Sequence, residues 1–246
     1  MILVMTHHFG NQDALGHVME KRAENAEIHG TDMPGHLNAA FEAGKETAVF
    51  LLLAWLFLTF LKIPFEKSAI VLTGMGLGWF IWKSGRNGWL GWVRLERLHR
   101  LIEQEKYEIE HHRPQEREEL IALYRGKGFE GKLLEDVVDV LMADQDRLLK
   151  VMLEEEMGLT LQAYEHPLQQ ILGTALGCFC SFATIMILFL VFPTYGVLLS
   201  SFLVLAIGSA LSAARERNRI IPAVIWNLSL ATLAFGAAYF LFFILI

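Results

Sequence analysis

The sequence predicts an all-α, polytopic membrane protein with five transmembrane helices and a three-helix, water-facing module inserted between the second and third spans. Three observations carry that expectation. Between Leu168 and Ala214 there is no Asp, Glu, Lys or Arg, and from Ile220 to Ile246 there is again none. About 20 apolar residues cross a bilayer core of about 30 Å, so the first stretch can cross twice and the second once. The third observation is the placement of charge: residues 83–165 hold 13 of the 21 Lys and Arg and 18 of the 27 Asp and Glu. Such an acidic segment belongs in water, and its sign favours cations over nucleic acid or anionic lipid as partners.

Residues 1–36 form a cytosolic N-terminal segment, polar and His-rich, broken by Gly30, Pro34 and Gly35. Its opening Met-Ile-Leu-Val-Met is too short for the apolar core of a signal peptide, so a retained N-terminus is expected. Residues 37–83 hold the first two spans, built on the apolar runs Thr47–Leu61 and Ser68–Trp82 around Lys62–Lys67. Counting back from Thr47 to Leu37 gives the first run enough length to cross. It also draws Glu42, Lys45 and Glu46 into or near the membrane, where ionisable groups are costly and mark ion pathways.

Residues 84–166 form the Glu-rich module. Leu95, Leu98 and Ile102 define one face of a first helix that breaks at Pro114. Pro114 opens a second helix, with Glu116, Glu118 and Glu119 near its positive end and Leu120, Leu123 and Tyr124 on its apolar side. Gly126-Lys127-Gly128 stops it. A third helix is expected from about Lys132 to Glu156, carrying Leu134, Val137, Val138, Leu141, Leu148 and Met152 at helical spacings and ended by Gly158. Residues 167–246 hold the last three spans. Pro167 opens the third, Pro193–Gly196 turns into the fourth, Arg215–Arg219 is a basic loop, and Pro222 opens the fifth. The positive-inside rule applied to that loop and to the basic residues beside Trp82 places the N-terminus and the module in the cytosol, with Lys62 and Lys67 on the far side.

Divalent cations need several oxygen ligands brought together, and a thioether or imidazole shifts preference toward transition metals. Glu105 and Glu108 are three residues apart, as are Glu116 and Glu119, so each pair shares a helix face. The break at Pro114 lets the pairs approach. Met152-Leu-Glu-Glu-Glu156-Met157 adds carboxylates and sulfur. A solvated acidic surface accounts for the same spacing. Glu96 with His99, and Glu108 with His111, have the spacing used in di-iron carboxylate bundles, but both lie on one helix. Cys178 and Cys180 diverge on a helix and read as packing residues. Gly173-x-x-x-Gly177 permits close helix packing and can support a dimer.

The stretch from Pro114 to Leu159, with Glu116-Arg-Glu-Glu-Leu120, Leu123-Tyr-Arg-Gly-Lys-Gly-Phe129 and Met152-Leu-Glu-Glu-Glu156-Met-Gly-Leu159, resembles the cytosolic metal-binding domain of the vacuolar iron transporter (VIT) family. The order of two spans, three cytosolic helices and three spans is also similar. The resemblance implies a homodimeric transporter, not an enzyme, that exports divalent metal from the cytosol in exchange for protons. Fe²⁺ is the first expectation, with Mn²⁺, Zn²⁺ or Co²⁺ as alternatives; the metal is cargo, and no catalytic cofactor is implied. It assigns Glu105, Glu108, Glu116, Glu119, Met152 and Glu156 as metal ligands and Glu46 and Met75 to the ion pathway, which Glu42 joins as an ionisable residue in or near the first span. A carboxylate that releases its metal can take up a proton in its place. The membrane is a bacterial inner membrane by default, or a vacuolar-type membrane in a eukaryote. The chain departs from the family's pattern at Lys150, Leu153, Trp79 and Phe80. Two further classes stay open: a membrane-anchored iron-storage or ferroxidase protein using Glu96, His99, Glu108 and His111, and a membrane protein whose acidic helices bind partners.

Overall fold

The computed structural model describes residues 35–156 and 166–245, without the side chain of Glu156; the N-terminal segment and Gly158, the expected end of the third module helix, lie outside the described residues. All regular structure among the described residues is helical. Among the described residues four helices are long and apolar enough to cross a membrane: α1 (His36–Phe60), α6 (Pro167–Val191), α7 (Gly196–Arg215) and α8 (Ile220–Leu245). Between them lie α2 (Phe65–His111), α3 (Arg113–Gly126), α4 (Gly131–Met142), α5 (Gln145–Val151) and a π-helical turn, Met152–Glu156. The described residues fall into two compact units, one of residues 35–93 with 166–245 and one of residues 94–156.

In the first unit α1 is the central helix. Ala48, Leu51, Leu52, Ala54 and Leu58 from α1 form the core with Leu72, Ile185, Phe189, Val197, Leu205 and Ala231. More than half of the most apolar 18-residue stretch of α1 is buried (56%), against 6% of that of α8. α8 contributes Ala231 as its one buried residue, so its surface suits lipid.

α6 lies parallel to α1 at very close range. A Cβ added to Gly173 would come within 2.0 Å of the His36 carbonyl oxygen, and one added to Gly177 within 1.9 Å of that of Ala40. The Gly173-x-x-x-Gly177 motif is therefore consumed inside the chain, which corrects its reading as a dimer contact. Small residues let helix backbones meet where no water-driven force pulls them together. Ser181 Oγ donates to the Gly44 carbonyl at 2.7 Å one turn further on. α7 runs antiparallel to α1: Ser212 Oγ donates to Glu42 Oε1 at 3.3 Å, and Asn38 Nδ2 donates to Glu216 Oε1 at 3.0 Å.

α2 departs from expectation. The second span and the first module helix are one continuous helix of 47 residues, more than twice what a bilayer crossing needs. The sequence offers no proline between Phe65 and His111, and three of the glycines that punctuate it, Gly76, Gly88 and Gly91, are packing sites, while Gly74, Gly78 and Gly85 face open space. A Cβ on Gly76 would come within 2.4 Å of the Phe182 ring, one on Gly88 within 2.5 Å of Ile171, and one on Gly91 within 2.9 Å of Gln170. The falling numbers on α6 make the two helices antiparallel. Ser68, Leu72, Gly76, Lys83, Ser84, Gly88 and Gly91 form a buried stripe that runs past Trp82. As a whole α2 is not apolar enough to count among the crossing helices, because Gly74, Gly76 and Gly78 dilute its apolar run and Glu66, Lys67 and Lys83 flank it.

In the second unit, α3 opens with Pro114 in its first turn. It closes at Gly128, whose φ of 92° is left-handed, while the Phe129 N–H reaches back to the Tyr124 carbonyl at 3.2 Å. The expected third helix is split: α4 ends at Met142, and α5 begins after Asp144, whose carboxylate accepts from the Arg147 N–H at 2.8 Å. Asp144 has extended backbone dihedrals and acts as an N-cap, a role that competes with helix interior. Ile109, Leu120, Leu134, Val138, Leu148 and Met152 form the core, while Leu98 and Leu153 form a small second cluster.

Candidate metal centre

Glu105 and Glu108 project one helical turn apart from α2 near its end. The chain turns at His112, and α3 brings Glu116 back in its first turn. One carboxylate oxygen from each of Glu105, Glu108 and Glu116 lies within 4.8 Å of the others. Ligand atoms on opposite sides of one divalent ion are separated by at most twice a metal–oxygen distance, about 4 to 5 Å, so a single ion can bridge all three. Glu105 and Glu116 are essentially inaccessible, at 0% and 2% exposure, and Glu108 is half-buried. The adjacent core residues Ile109 and Leu120 fix the two helices on which these glutamates stand.

The other expected ligands are placed differently. Glu119 is buried at 3% exposure, one turn beyond Glu116 on α3. Met152 is buried within the apolar core, and Leu153, beside it, packs against Leu98 with Leu101 and Ile102 around them. The side chain of Glu156 lies outside the described residues. Glu154 is exposed, and Glu155 is ion-paired with Lys127. That lysine also lies 5.0 Å from the centre of the Tyr124 ring. Burial pushes the Tyr124 phenol above its ordinary range, and the Lys127 charge partly offsets this. The residues of the di-iron alternative are not gathered: Glu96 pairs with Arg100 on the surface, and exposed His111 stacks on Tyr107, 4.1 Å between ring centres.

In the first unit the expected pathway carboxylates have lysine partners. Glu46 is ion-paired with Lys83, and Glu42 with Lys45 at 2.6 Å. The lysine side chains are each 10% exposed and the glutamates 46%. Thr47 ties the same region together: its hydroxyl donates to the Ala43 carbonyl at 2.7 Å and accepts from the Trp79 indole N–H at 3.1 Å. The Trp79 ring stacks on Phe50, 4.6 Å between centres. Met75 is 38% exposed. Sequence reasoning missed Lys83, although Met75, Trp79 and Lys83 share the four-residue spacing of a helix face.

The apolar helices define the class first: an integral membrane protein, carrying a cluster of buried carboxylates in its more polar unit. The VIT family's sequence profile matches residues 93–242, so the chain belongs to the VIT family, a family of membrane metal-ion transporters. The match covers the last part of α2 from residue 93, the rest of the module and α6 to α8 up to residue 242; it leaves out α1 and Met75. None of the curated proteins matches the chain.

Proposed function

We propose that this protein exports divalent metal, Fe²⁺ first, from the cytosol in exchange for protons, and that the module captures the ion before it enters the membrane. The observation that carries this reading is the convergence of Glu105, Glu108 and Glu116. Crowding buried carboxylates is unfavourable unless a cation or protons offset their charge, which suits a site that loads and unloads metal. Glu119, Met152 and Glu156 would complete the ligand set, and Glu46 and Glu42 would pass the ion across.

The Ser68–Trp82 part of α2 would supply the fifth crossing. Three contacts support a topology with the module on the cytosolic side. Asn38 meets Glu216, Gly91 meets Pro167, and Lys83 meets Glu46. The first two bring the start of α1 to the end of α7 and the start of α6 to Gly91 of α2, and the third joins α1 and α2 further from those ends, about 15 Å along α1. The basic loop after Arg215 then lies at the end where the positive-inside rule wants it. Met75, partly exposed on a single chain, is where a second copy would complete the path in a homodimer.

Purified protein in liposomes tests the function. Fe²⁺ or Mn²⁺ should enter faster than into protein-free vesicles, Glu46→Ala should abolish the flux, and entry should alkalinise the lumen in step with metal, because protons leave as metal enters; acidification would contradict exchange. Absence of flux with the wild type would sink transport, and iron oxidation without flux would establish the storage reading instead.

A further inference from the structure

Two opposite charge pairs lie along α1 in the membrane unit, Glu42 with Lys45 and Glu46 with Lys83. Glu42, Lys45, Glu46 and Lys83 sum to zero, and α6 to α8 add no charge before Arg215. Glu42 and Lys45 are neighbours on one helix, but Lys83 reaches from α2 to α1 to meet Glu46. The Lys83 side chain is nearly enclosed and belongs to the buried stripe of α2. A divalent ion arriving at Glu46 therefore meets an ammonium already in place.

A purely structural staple is not what this position calls for. The Trp79–Thr47 hydrogen bond, the Trp79–Phe50 stack and buried Leu72 already join α1 and α2 close by. Lysine carries a point charge on a flexible four-carbon stem, whereas arginine would grip the carboxylate through a planar fork. The stem lets the ammonium withdraw while the helices stay packed.

We propose that Lys83 is a tethered counter-cation: it occupies the Glu46 carboxylate between transport events, and the incoming divalent ion displaces it. Lys83 then sets the metal concentration at which the membrane site fills. This rests on the transport function proposed above.

Two measurements on the full-length protein test it, with Mn²⁺ as the probe. The first is the half-saturating Mn²⁺ concentration for flux into proteoliposomes. The second is Mn²⁺ binding in detergent on a Glu105→Gln, Glu116→Gln background, which reports the membrane site without the module. Lys83→Gln should lower the half-saturating concentration and tighten the residual binding by at least about tenfold, while Lys83→Arg should raise both constants. A Lys83→Gln protein with an unaltered melting temperature and unchanged or weaker Mn²⁺ affinity would overturn the proposal. Should Lys83→Gln not fold, Lys83→Arg decides: constants equal to the wild type overturn it. If the wild type shows no flux, the transport reading fails by itself, and tightened binding in Lys83→Gln still supports displacement of Lys83 by metal.

Discussion

The two units keep their carboxylates in different company. In the module, Glu105, Glu108 and Glu116 bring one carboxylate oxygen each to a common point from a helix-turn-helix, two of the three almost fully enclosed. In the membrane unit, Glu42 and Glu46 each sit against a lysine, so the local charge cancels. The difference follows from the medium. In a unit rich in charge of both signs, several carboxylates can be gathered at one point because cationic groups and counter-ions are near. Among apolar helices an uncompensated charge is costly, and pairing is the general remedy. The first arrangement suits accumulation of a cation and the second suits its brief passage.

Three experiments break or sharpen this contrast, beginning with the largest effect. Glu105→Gln with Glu116→Gln should weaken divalent-metal binding to the full-length protein more than tenfold, a loss above about 1.4 kcal/mol, while Glu42→Gln with Glu46→Gln should leave most equilibrium binding intact. Titration calorimetry in detergent measures both, and equal losses would erase the distinction between the units. Next, Gly177→Leu should destabilise the membrane unit by about 1 to 3 kcal/mol through overpacking against Ala40, whereas Gly78→Ala, whose Cβ meets nothing within 4 Å, should be close to neutral. Thermal unfolding in detergent separates them. The smallest effect is in the module: Asp144→Ala removes an N-cap worth about 1 kcal/mol. It should increase amide hydrogen exchange in α5 while leaving α1 and α6 unchanged.

Much of this architecture was legible in the sequence because its determinants are local. Pro167, Pro114 and the glycines at 126 and 128 mark helix ends that the structure keeps to within a residue or so. The approach of Glu105, Glu108 and Glu116 was readable from a three-residue spacing and the nearby break. Other features were not. The continuity of α2 depends on Gly88 and Gly91 being filled by α6, a distant segment, so glycines that punctuate a sequence became helix interior. Asp144 was hidden among apolar positions that fit one long helix as well as two short ones, although an Asp followed by Gln145 and Asp146 is a recognisable helix start. The Lys83–Glu46 pair could not be inferred from local spacing, because it joins two helices across a hairpin. The partner of Gly173 and Gly177 was equally invisible: small residues announce a close approach without naming what approaches.

α1 and α8 are similar in length and both apolar, yet one is enclosed by protein and the other almost wholly bare. The two will record mutation differently. In a saturation scan, apolar exchanges along α8 should pass nearly unnoticed, because a hydrocarbon solvent accepts any greasy side chain. The same exchanges at Ala43, Ala48 or Leu51 of α1 should be rejected by neighbours of fixed shape. Tolerance of apolar exchange should accordingly be broad along α8 and narrow at the buried positions of α1, even though α8 is the easier helix to recognise by hydropathy.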